Sequence, residues 1–302
     1  MSELSDKIRR EFKKADDVRD AGLDTPDYVE RFNDIVYGTA DPKQQVLDVY
    51  RPKDMAGKSL PVIVSVHGGG WVYGDKERYQ YYCMSLVQYG FAVVNFTYRL
   101  APEHKFPAAI EDTNLVMRFV MEHSEEYGFD TDHIFAVGDS AGAHNLSIYA
   151  GISTDKERAE MFPFEVPENF RLKAIALNCG VYEIHMDDEG NLDRALMAEY
   201  LPGKGTEEEV EQINALHGIT ENYPPTLYMT CTGDFLQEQV LNLQKTLIAH
   251  QVPQEFLYYG DRDTELGHVF HLNMKSDIAH RCNKEECGFF RRWIENEQEQ
   301  KS

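Results

Sequence analysis

The sequence Gly138-Asp139-Ser140-Ala141-Gly142 follows an apolar, strand-like run at 133–137 and precedes a helix-like run at 143–152. A serine flanked by small residues between a strand and a helix is typical of a sharp turn that exposes the hydroxyl above a sheet, because larger neighbours would collide with the strained backbone. The same pentapeptide also occurs by chance, so its meaning depends on the rest of the chain. Ser140 is therefore a candidate nucleophile whose partners must be sought elsewhere.

Strand-like and helix-like segments alternate along most of the chain. The predicted strands lie at 33–37, 44–50, 61–66, 91–96, 133–137, 172–178, 226–230 and 255–259. The predicted helices lie at 79–89, 107–123, 141–152, 238–250 and 271–295. This alternation predicts a single α/β domain over 1–302, with a central, mostly parallel sheet and helices on both faces.

Two segments fall outside this alternation and predict a small helical cap. Residues 1–30 begin with an amphipathic helix that carries Ile8, Phe12 and Ala15 on one side. Residues 181–222 are polar, contain short helical pieces, and are too many for an ordinary loop. We expect both segments to lie over the site. The side chains expected to line the substrate pocket are Trp71, Tyr73, Tyr79, His144 and Tyr182.

A glycine-rich loop directly follows the strand-like run at 61–66. Its sequence is His67-Gly68-Gly69-Gly70-Trp71. Consecutive glycines at the carboxyl end of a strand let backbone amides approach a reacting carbonyl and stabilise the developing oxyanion. A merely flexible loop is the alternative. In the catalytic interpretation, His67 orients the loop and is not the base.

A candidate acid and a candidate base follow the last two predicted strands. Asp234 comes after the strand at 226–230, and His268 after the strand at 255–259. The order Ser140, Asp234, His268 is that of the α/β-hydrolases. Asp234 could equally cap the following helix. The competing acids are Glu238, Asp261 and Asp263, and the competing base is His271.

Together these segments resemble the hormone-sensitive-lipase-like esterases, a family of α/β-hydrolases. The resemblance is carried by HGGGW at 67–71, GDSAG at 138–142 and YRLAPEHKFPAA at 98–109, and it spans nearly the whole chain. It implies an α/β-hydrolase fold and a serine carboxylesterase or acetyl esterase that requires no metal and no organic cofactor.

The resemblance also implies roles for individual residues. Ser140, Asp234 and His268 match the family's catalytic triad. The amides that match its oxyanion hole belong to Gly69, Gly70 and Ala141. The chain departs from the family where it has Ala143-His144 in place of the more frequent Gly-Asn, and Val269 in place of the usual Gly. These departures leave the details of the substrate pocket open.

Charge and cysteine content narrow the class of protein. A net charge of −22 over 302 residues repels nucleic acids and anionic membranes, so we expect neither as a partner. Acidic runs such as 187–189 and 207–209 are interpreted as solvated surface. The five cysteines have no disulfide or zinc-like spacing, which predicts reduced thiols and no metal site. No signal-like or membrane-spanning run is visible, so we expect a cytoplasmic protein.

The expected activity is hydrolysis of a small-molecule ester with a short, acetyl-like acyl group through an acyl-enzyme. A peptidase, amidase or formamidase on the same scaffold stays open. A non-enzymatic ligand-binding protein also stays open, because gibberellin receptors resemble this family but lack the catalytic histidine; His268 argues against it here. A homodimer is a further expectation.

Overall fold

The computed structural model describes residues 2–186 and 192–301, and the acidic run at 187–189 lies outside them. The strands β1 to β8 are Val29–Val36, Val46–Pro52, Leu60–Val66, Ala92–Thr97, Phe129–Asp139, Leu172–Asn178, Thr226–Cys231 and Gln254–Tyr259. The helices α1 to α10 are Glu3–Asp20, Lys76–Val87, Ala108–Glu122, Ser124–Tyr127, Ala141–Thr154, Lys156–Ala159, Leu192–Tyr200, Glu207–Ile213, Gln239–Ala249 and Asp277–Lys301. Among the helices of these two ranges, none is long and apolar enough to cross a membrane.

All eight strands form one sheet in the order β1-β2-β4-β3-β5-β6-β7-β8. Strand β2 is antiparallel to both of its neighbours, β1 and β4, and all other neighbouring strands are parallel. Helices connect the parallel strands and cover the sheet. The predicted α/β class with a mostly parallel sheet is therefore confirmed.

Alternate residues of the central strand β3 pack into two separate hydrophobic cores, one on each face of the sheet. Val62 and Val64 join the core that is built with α3, α5 and α9. Ile63 points to the opposite face and joins the core built with α2 and α10. Because both faces are covered, the carboxyl ends of the strands are where polar residues can gather into a site.

Several element boundaries differ from the prediction, and those of β5 and α10 have a visible cause. Strand β5 begins at Phe129, and its first two residues pair with Leu60 and Pro61 before the register shifts between Pro61 and Val62. The polar residues at 130–132 gave no strand signal in the sequence. Helix α10 begins at Asp277, because Val269 adopts a left-handed φ of 53° and the chain then makes a short 3-10 turn at Phe270–Leu272.

Helices α1 and α7 lie together over the loop that follows β3. The Ser5 hydroxyl donates to the Glu199 carboxylate at 3.1 Å, which joins the two helices. Arg9 of α1 donates to the Val72 carbonyl at 2.8 Å. From α7, Leu196 lies about 4 Å from the place that a Cβ on Gly70 would occupy. The N-terminal helix and the segment after residue 191 thus cover the same edge of the sheet.

Candidate active site

Ser140 is the single residue between strand β5 and helix α5. Its φ of 51° and ψ of −122° are unusual for a residue with a side chain and indicate a strained turn. A Cβ on Gly142 would lie 2.1 Å from the Val66 carbonyl oxygen, so glycine is needed for α5 to approach β3 this closely. The Ser140 amide donates to the Asn178 carbonyl at 3.0 Å. Neighbouring strands on both sides therefore fix the turn.

Ser140, His268 and Asp234 form one hydrogen-bonded chain. His268 Nδ1 lies 2.7 Å from Asp234 Oδ1, and His268 Nε2 lies 3.0 Å from Ser140 Oγ. Asp234 also accepts from the Thr230 hydroxyl at 2.7 Å and from the Leu236 amide at 3.0 Å. Burial raises the pKa of Asp234, but these hydrogen bonds outweigh it and leave the pKa below its usual value. The carboxylate accepts only, so Nδ1 carries the proton and Nε2 is free to accept one from Ser140.

The loops that carry the acid and the base are joined to each other. The Gly233 amide donates to the Leu266 carbonyl at 2.9 Å, and the Leu266 amide donates to the Thr232 hydroxyl at 3.0 Å. A parallel bridge pairs Gly233 with Gly267. Because β7 and β8 are neighbours in the sheet, these bonds extend their pairing up to the two functional side chains.

The competing acids and the competing base do not reach Ser140. Glu238, Asp261 and Asp263 are exposed. His271 is buried, with its ring edge-on to Tyr82 at 5.1 Å between centroids. Burial lowers the pKa of His271 to about 3, so it stays neutral.

The glycine-rich loop supplies backbone amides next to this chain. Gly69 has a φ of 115°, and a Cβ there would lie 2.1 Å from the Tyr73 carbonyl oxygen. Gly70 has a φ of 61°. Within the described ranges, the amides of these two glycines donate to no backbone carbonyl. Ala141 opens α5, where a helix leaves its first amides without intrahelical partners. All three amides can serve another acceptor.

Tyr79 connects the glycine-rich loop to the nucleophile turn. Its hydroxyl accepts from the Gly68 amide at 2.8 Å and donates to Asp139 Oδ2 at 2.7 Å. The side chain is buried, which differs from its expected place in the substrate pocket. Burial raises the pKa of Asp139 to about 7. Sequence reasoning missed this link, because Asp139 occupies the variable second position of the pentapeptide.

His67 supports the loop from below. It is fully buried, stacks on Tyr98 at 3.9 Å between ring centroids, and donates from Nδ1 to the Gly68 carbonyl at 2.8 Å. Burial lowers the pKa of His67 to about 4, so the ring is neutral. Its place agrees with a role in orienting the loop.

Besides Tyr79, three more of the expected substrate contacts are buried in packing. Trp71 Nε1 donates to His144 Nδ1 at 3.2 Å, and His144 Nε2 donates to the Ile213 carbonyl at 2.8 Å. Both nitrogens of His144 are thus used, and its pKa is lowered by burial to about 4. The Tyr182 ring is fully buried against Gly180. The structure packs the side chains of Trp71, His144 and Tyr182 between the cap and the core, and their contact with a substrate stays a prediction.

Two aromatic residues lie nearer to the surface. Tyr73 donates from its hydroxyl to Asp16 of α1 at 2.8 Å and packs edge-on against Phe12. Phe235, directly after the acid, is 76% exposed, and its ring lies 4.5 Å from that of His268 between centroids. The sequence analysis did not identify Phe235. The signal that could have indicated it is an apolar residue in the loop after β7, directly after the acid.

One group of described side chains has the composition of a metal site. The ligand atoms of Cys179, Asp234 and His268 all lie within 4.8 Å of one another. Cysteine spacing in the sequence could not show this group, because its members come from three different loops.

Comparison with known proteins adds the family context. The BD-FAE family model matches residues 47–247. Esterase LipC of Mycobacterium tuberculosis is 30% identical over 216 residues, covering 68% of this chain and 52% of LipC, so the chain spans about half the length of that relative. Ethyl acetate hydrolase of Pseudomonas putida is 31% identical over 148 residues, covering 48% of this chain and 46% of that protein. Esterase B of Lactobacillus rhamnosis, inhibited by a C4-C4 SN3 tributyrin phosphonate, has a TM-score of 0.89 at 27% identity and covers 100% of this chain and 99% of its own.

Proposed function

The chain belongs to the BD-FAE family of α/β-hydrolase carboxylesterases, and we propose that it hydrolyses short-chain, acetyl-like carboxylic esters through an acyl-enzyme on Ser140. The observation that carries this proposal is the hydrogen-bonded chain from Asp234 through His268 to Ser140 Oγ. Its members come from three strand ends and meet in the geometry of a nucleophile, a base and an orienting acid.

In the proposed reaction, Ser140 Oγ attacks the ester carbonyl while His268 Nε2 takes its proton. Asp234 stabilises the imidazolium and holds the proton on Nδ1. His268 then protonates the departing alcohol, which leaves the acyl group on Ser140. Water repeats the sequence: His268 takes a proton from water, the hydroxyl attacks the acyl carbon, and Ser140 regains its proton as the acid departs.

The oxyanion of each tetrahedral intermediate is bound, in this proposal, by the amides of Gly69, Gly70 and Ala141. Two positions support this. Gly69 and Gly70 lie on the loop after β3, the strand that pairs with β5, and Ala141 is the first residue of α5, directly after Ser140. Fixed backbone donors of this kind stabilise charge that develops only in the transition state.

The cover over the glycine-rich loop supports a short acyl group in this proposal. The methyl groups of Leu196 in α7 lie about 4 Å from the position that a Cβ on Gly70 would occupy, so an apolar side chain covers this part of the loop. The names of two similar proteins support the same substrate class, since one hydrolyses ethyl acetate and the other is inhibited by a tributyrin phosphonate. We propose a small-molecule ester as the substrate.

A chain-length series tests the substrate class. p-Nitrophenyl esters from acetyl to decanoyl are compared with a p-nitroanilide and a formamide, with the Ser140→Ala variant as the blank. We expect the highest kcat/KM for acetyl or butyryl esters and little turnover of the amides. Faster amide cleavage would favour the peptidase, amidase or formamidase alternative, and a decanoyl optimum would overturn the short-chain proposal.

The homodimer remains a prediction, and we propose that its two copies contact each other through strand β8. This strand is at the edge of the sheet and carries the exposed side chains of Phe256 and Tyr258. An edge strand with exposed aromatics is suited to pairing with a second copy. Light scattering during gel filtration would distinguish a dimer from a monomer, and Phe256→Lys is expected to shift a dimer towards monomer.

A further inference from the structure

Three sulfur atoms lie beneath the acid and base of the site. Cys179 follows β6, and Met229 and Cys231 belong to the neighbouring strand β7; all three are fully buried. Cys179 Sγ lies 3.9 Å from Met229 Sδ. Cys231 Sγ donates to the Leu266 carbonyl at 3.1 Å, in the loop before the base. The proposed ester hydrolysis uses none of these sulfurs.

We propose that Cys179 Sγ, the Asp234 carboxylate and His268 Nδ1 form an inhibitory site for a thiophilic divalent cation, Zn²⁺ or Cd²⁺. Thiolate, carboxylate and imidazole are the donors that zinc takes in proteins, and three protein ligands plus water make an open tetrahedral site. With ordinary zinc bond lengths, tetrahedral ligand atoms are about 3.3–3.8 Å apart. The present separations are all within 4.8 Å, and that between His268 Nδ1 and Asp234 Oδ1 is 2.7 Å, so binding requires the imidazole and the carboxylate to move apart to admit the ion.

The donor set suits a soft cation better than a hard one. A magnesium or calcium site is built from oxygen atoms, whereas a cysteine ligand selects zinc and its heavier relatives. The cation brings two positive charges, and the thiolate and the carboxylate of Asp234 bring two negative ones. The resulting neutral centre avoids an uncompensated charge next to the buried sulfurs. Of the three ligands, the His268 side chain is the one that reaches solvent, with 19% of it exposed.

Binding at this site and base catalysis exclude each other. The Cys179 thiol loses its proton to solvent when the metal–sulfur bond forms. The proton on His268 Nδ1 has to leave that atom, and the neutral ring then carries it on Nε2. A protonated Nε2 is a donor and cannot accept the proton of Ser140. The metal also replaces the hydrogen bond between Asp234 and His268, so the acid no longer orients the base.

A cadmium titration tests the site by binding and by activity. Cadmium–thiolate charge-transfer absorbance is recorded as an ultraviolet difference spectrum, with and without metal, for the wild type, Cys179→Ala and Cys179→Ser. Cys83→Ala is the matched control, because Cys83 is equally buried but belongs to the core on the other face of the sheet. Inhibition of p-nitrophenyl butyrate hydrolysis is measured in parallel, relative to the rate of each variant without metal, and is then reversed with a chelator.

We expect one saturable absorbance band in the wild type and in Cys83→Ala, with chelator-reversible inhibition over the same concentrations. Both Cys179 variants are expected to lose the band and to need at least about tenfold more cadmium for half inhibition, since even outer partners of metal ligands contribute tenfold or more to affinity. If folded Cys179→Ala and Cys179→Ser kept both the absorbance band and the inhibition by cadmium, the proposal would be overturned. A wild-type band without inhibition would overturn the exclusion of catalysis.

The activity arm of this test rests on the proposed function, but the binding arm does not. Ser140→Ala keeps all three ligands and is expected to show the wild-type band. If the wild type bound cadmium but hydrolysed no ester, the proposed function would fail and the metal site would stand. If it hydrolysed esters but showed no band, the metal site alone would fail.

Discussion

The two sides of the candidate site differ in how far apart in the sequence their supporting contacts lie. On the acid–base side, Asp234 and His268 follow neighbouring strands, and the bridge between Gly233 and Gly267 joins their loops. On the oxyanion side, the glycine-rich loop is covered by α1 and α7, which come from both directions along the chain. The first side is determined by short segments at strand ends, whereas the second depends on contacts such as Ser5 with Glu199, 194 residues apart. Variants on the acid–base side should therefore change kcat, and variants on the cover should change stability or KM.

The largest effect is expected at the nucleophile. Ser140→Ala should lower kcat by on the order of 10⁶, because no other group can form the acyl-enzyme. Ser147→Ala, in the same helix α5 and with a buried hydroxyl that has no hydrogen-bond partner in the described part of the chain, is the control and should keep its activity. Steady-state hydrolysis of p-nitrophenyl butyrate measures both. A Ser140→Ala enzyme within tenfold of the wild type would remove Ser140 from the reaction.

The next largest effect is expected at the acid. Asp234→Asn should lower kcat by about 10⁴ with little change in stability, because an amide at this place favours the wrong tautomer of His268. Glu238→Gln, at an exposed competing acid nearby, is the matched control. Comparable losses in the two variants, measured as kcat on the same ester, would contradict the assignment of the acid.

Beneath the cover, in helix α5, His144→Phe should lower the free energy of unfolding by about 2–4 kcal/mol, because it leaves the Trp71 indole N–H and the Ile213 carbonyl without partners. KM of the folded fraction should change little. Urea unfolding and steady-state kinetics measure the two quantities, with exposed His250→Phe as the control. A stable His144→Phe protein with a strongly raised KM would instead indicate that His144 contacts the substrate.

The smallest effect is expected below both sides, at Glu286 of α10. This buried carboxyl accepts from the Tyr82 hydroxyl at 2.8 Å and from the Asn178 amide at 2.7 Å. Burial raises its pKa from 4.5 to about 7, with a further contribution from Asp139. The folded protein therefore keeps a proton that the unfolded chain loses first. Stability is full below about pH 4.5 and falls as the pH rises towards 7, by up to about 1.4 kcal/mol per pH unit from this group.

Glu286→Gln stays uncharged and should reduce that slope. Asn178 Oδ1 has no partner among the described residues. If the Asn178 amide flips, this oxygen can accept a hydrogen bond from the new N–H₂ group of the glutamine. Thermal and urea unfolding between about pH 5 and pH 8 measure the slope, with the exposed neighbour Glu285→Gln as control. An unchanged slope in Glu286→Gln would show that the carboxyl is already ionised in the folded protein.

The fold and the arrangement of Ser140, Asp234 and His268 could be predicted because they depend on local signals. Parallel strands bring their carboxyl ends to one edge, so residues just after 133–137, 226–230 and 255–259 were expected to meet. The family resemblance is confirmed by the BD-FAE match. The structure places the three side chains within hydrogen-bonding distance, and their catalytic roles remain the proposal.

The pocket could not be predicted in the same way, because burial there is decided by distant partners. Trp71 and His144 are 73 residues apart, and His144 and Ile213 are 69 apart. No local pattern shows that their polar atoms satisfy one another. Phe235 was missed for the opposite reason, since none of the segments described in the structure covers its ring next to His268.

The proposed mechanism depends most on the formation of a covalent acyl-enzyme at Ser140. A p-nitrophenyl phosphonate with a butyl chain, incubated with the enzyme and followed by peptide mass mapping, tests this directly. We predict one adduct per chain on Ser140, formed in step with the loss of esterase activity and greatly slowed in Asp234→Asn. An adduct on another residue, or full esterase activity after complete labelling of Ser140, would contradict the proposed mechanism.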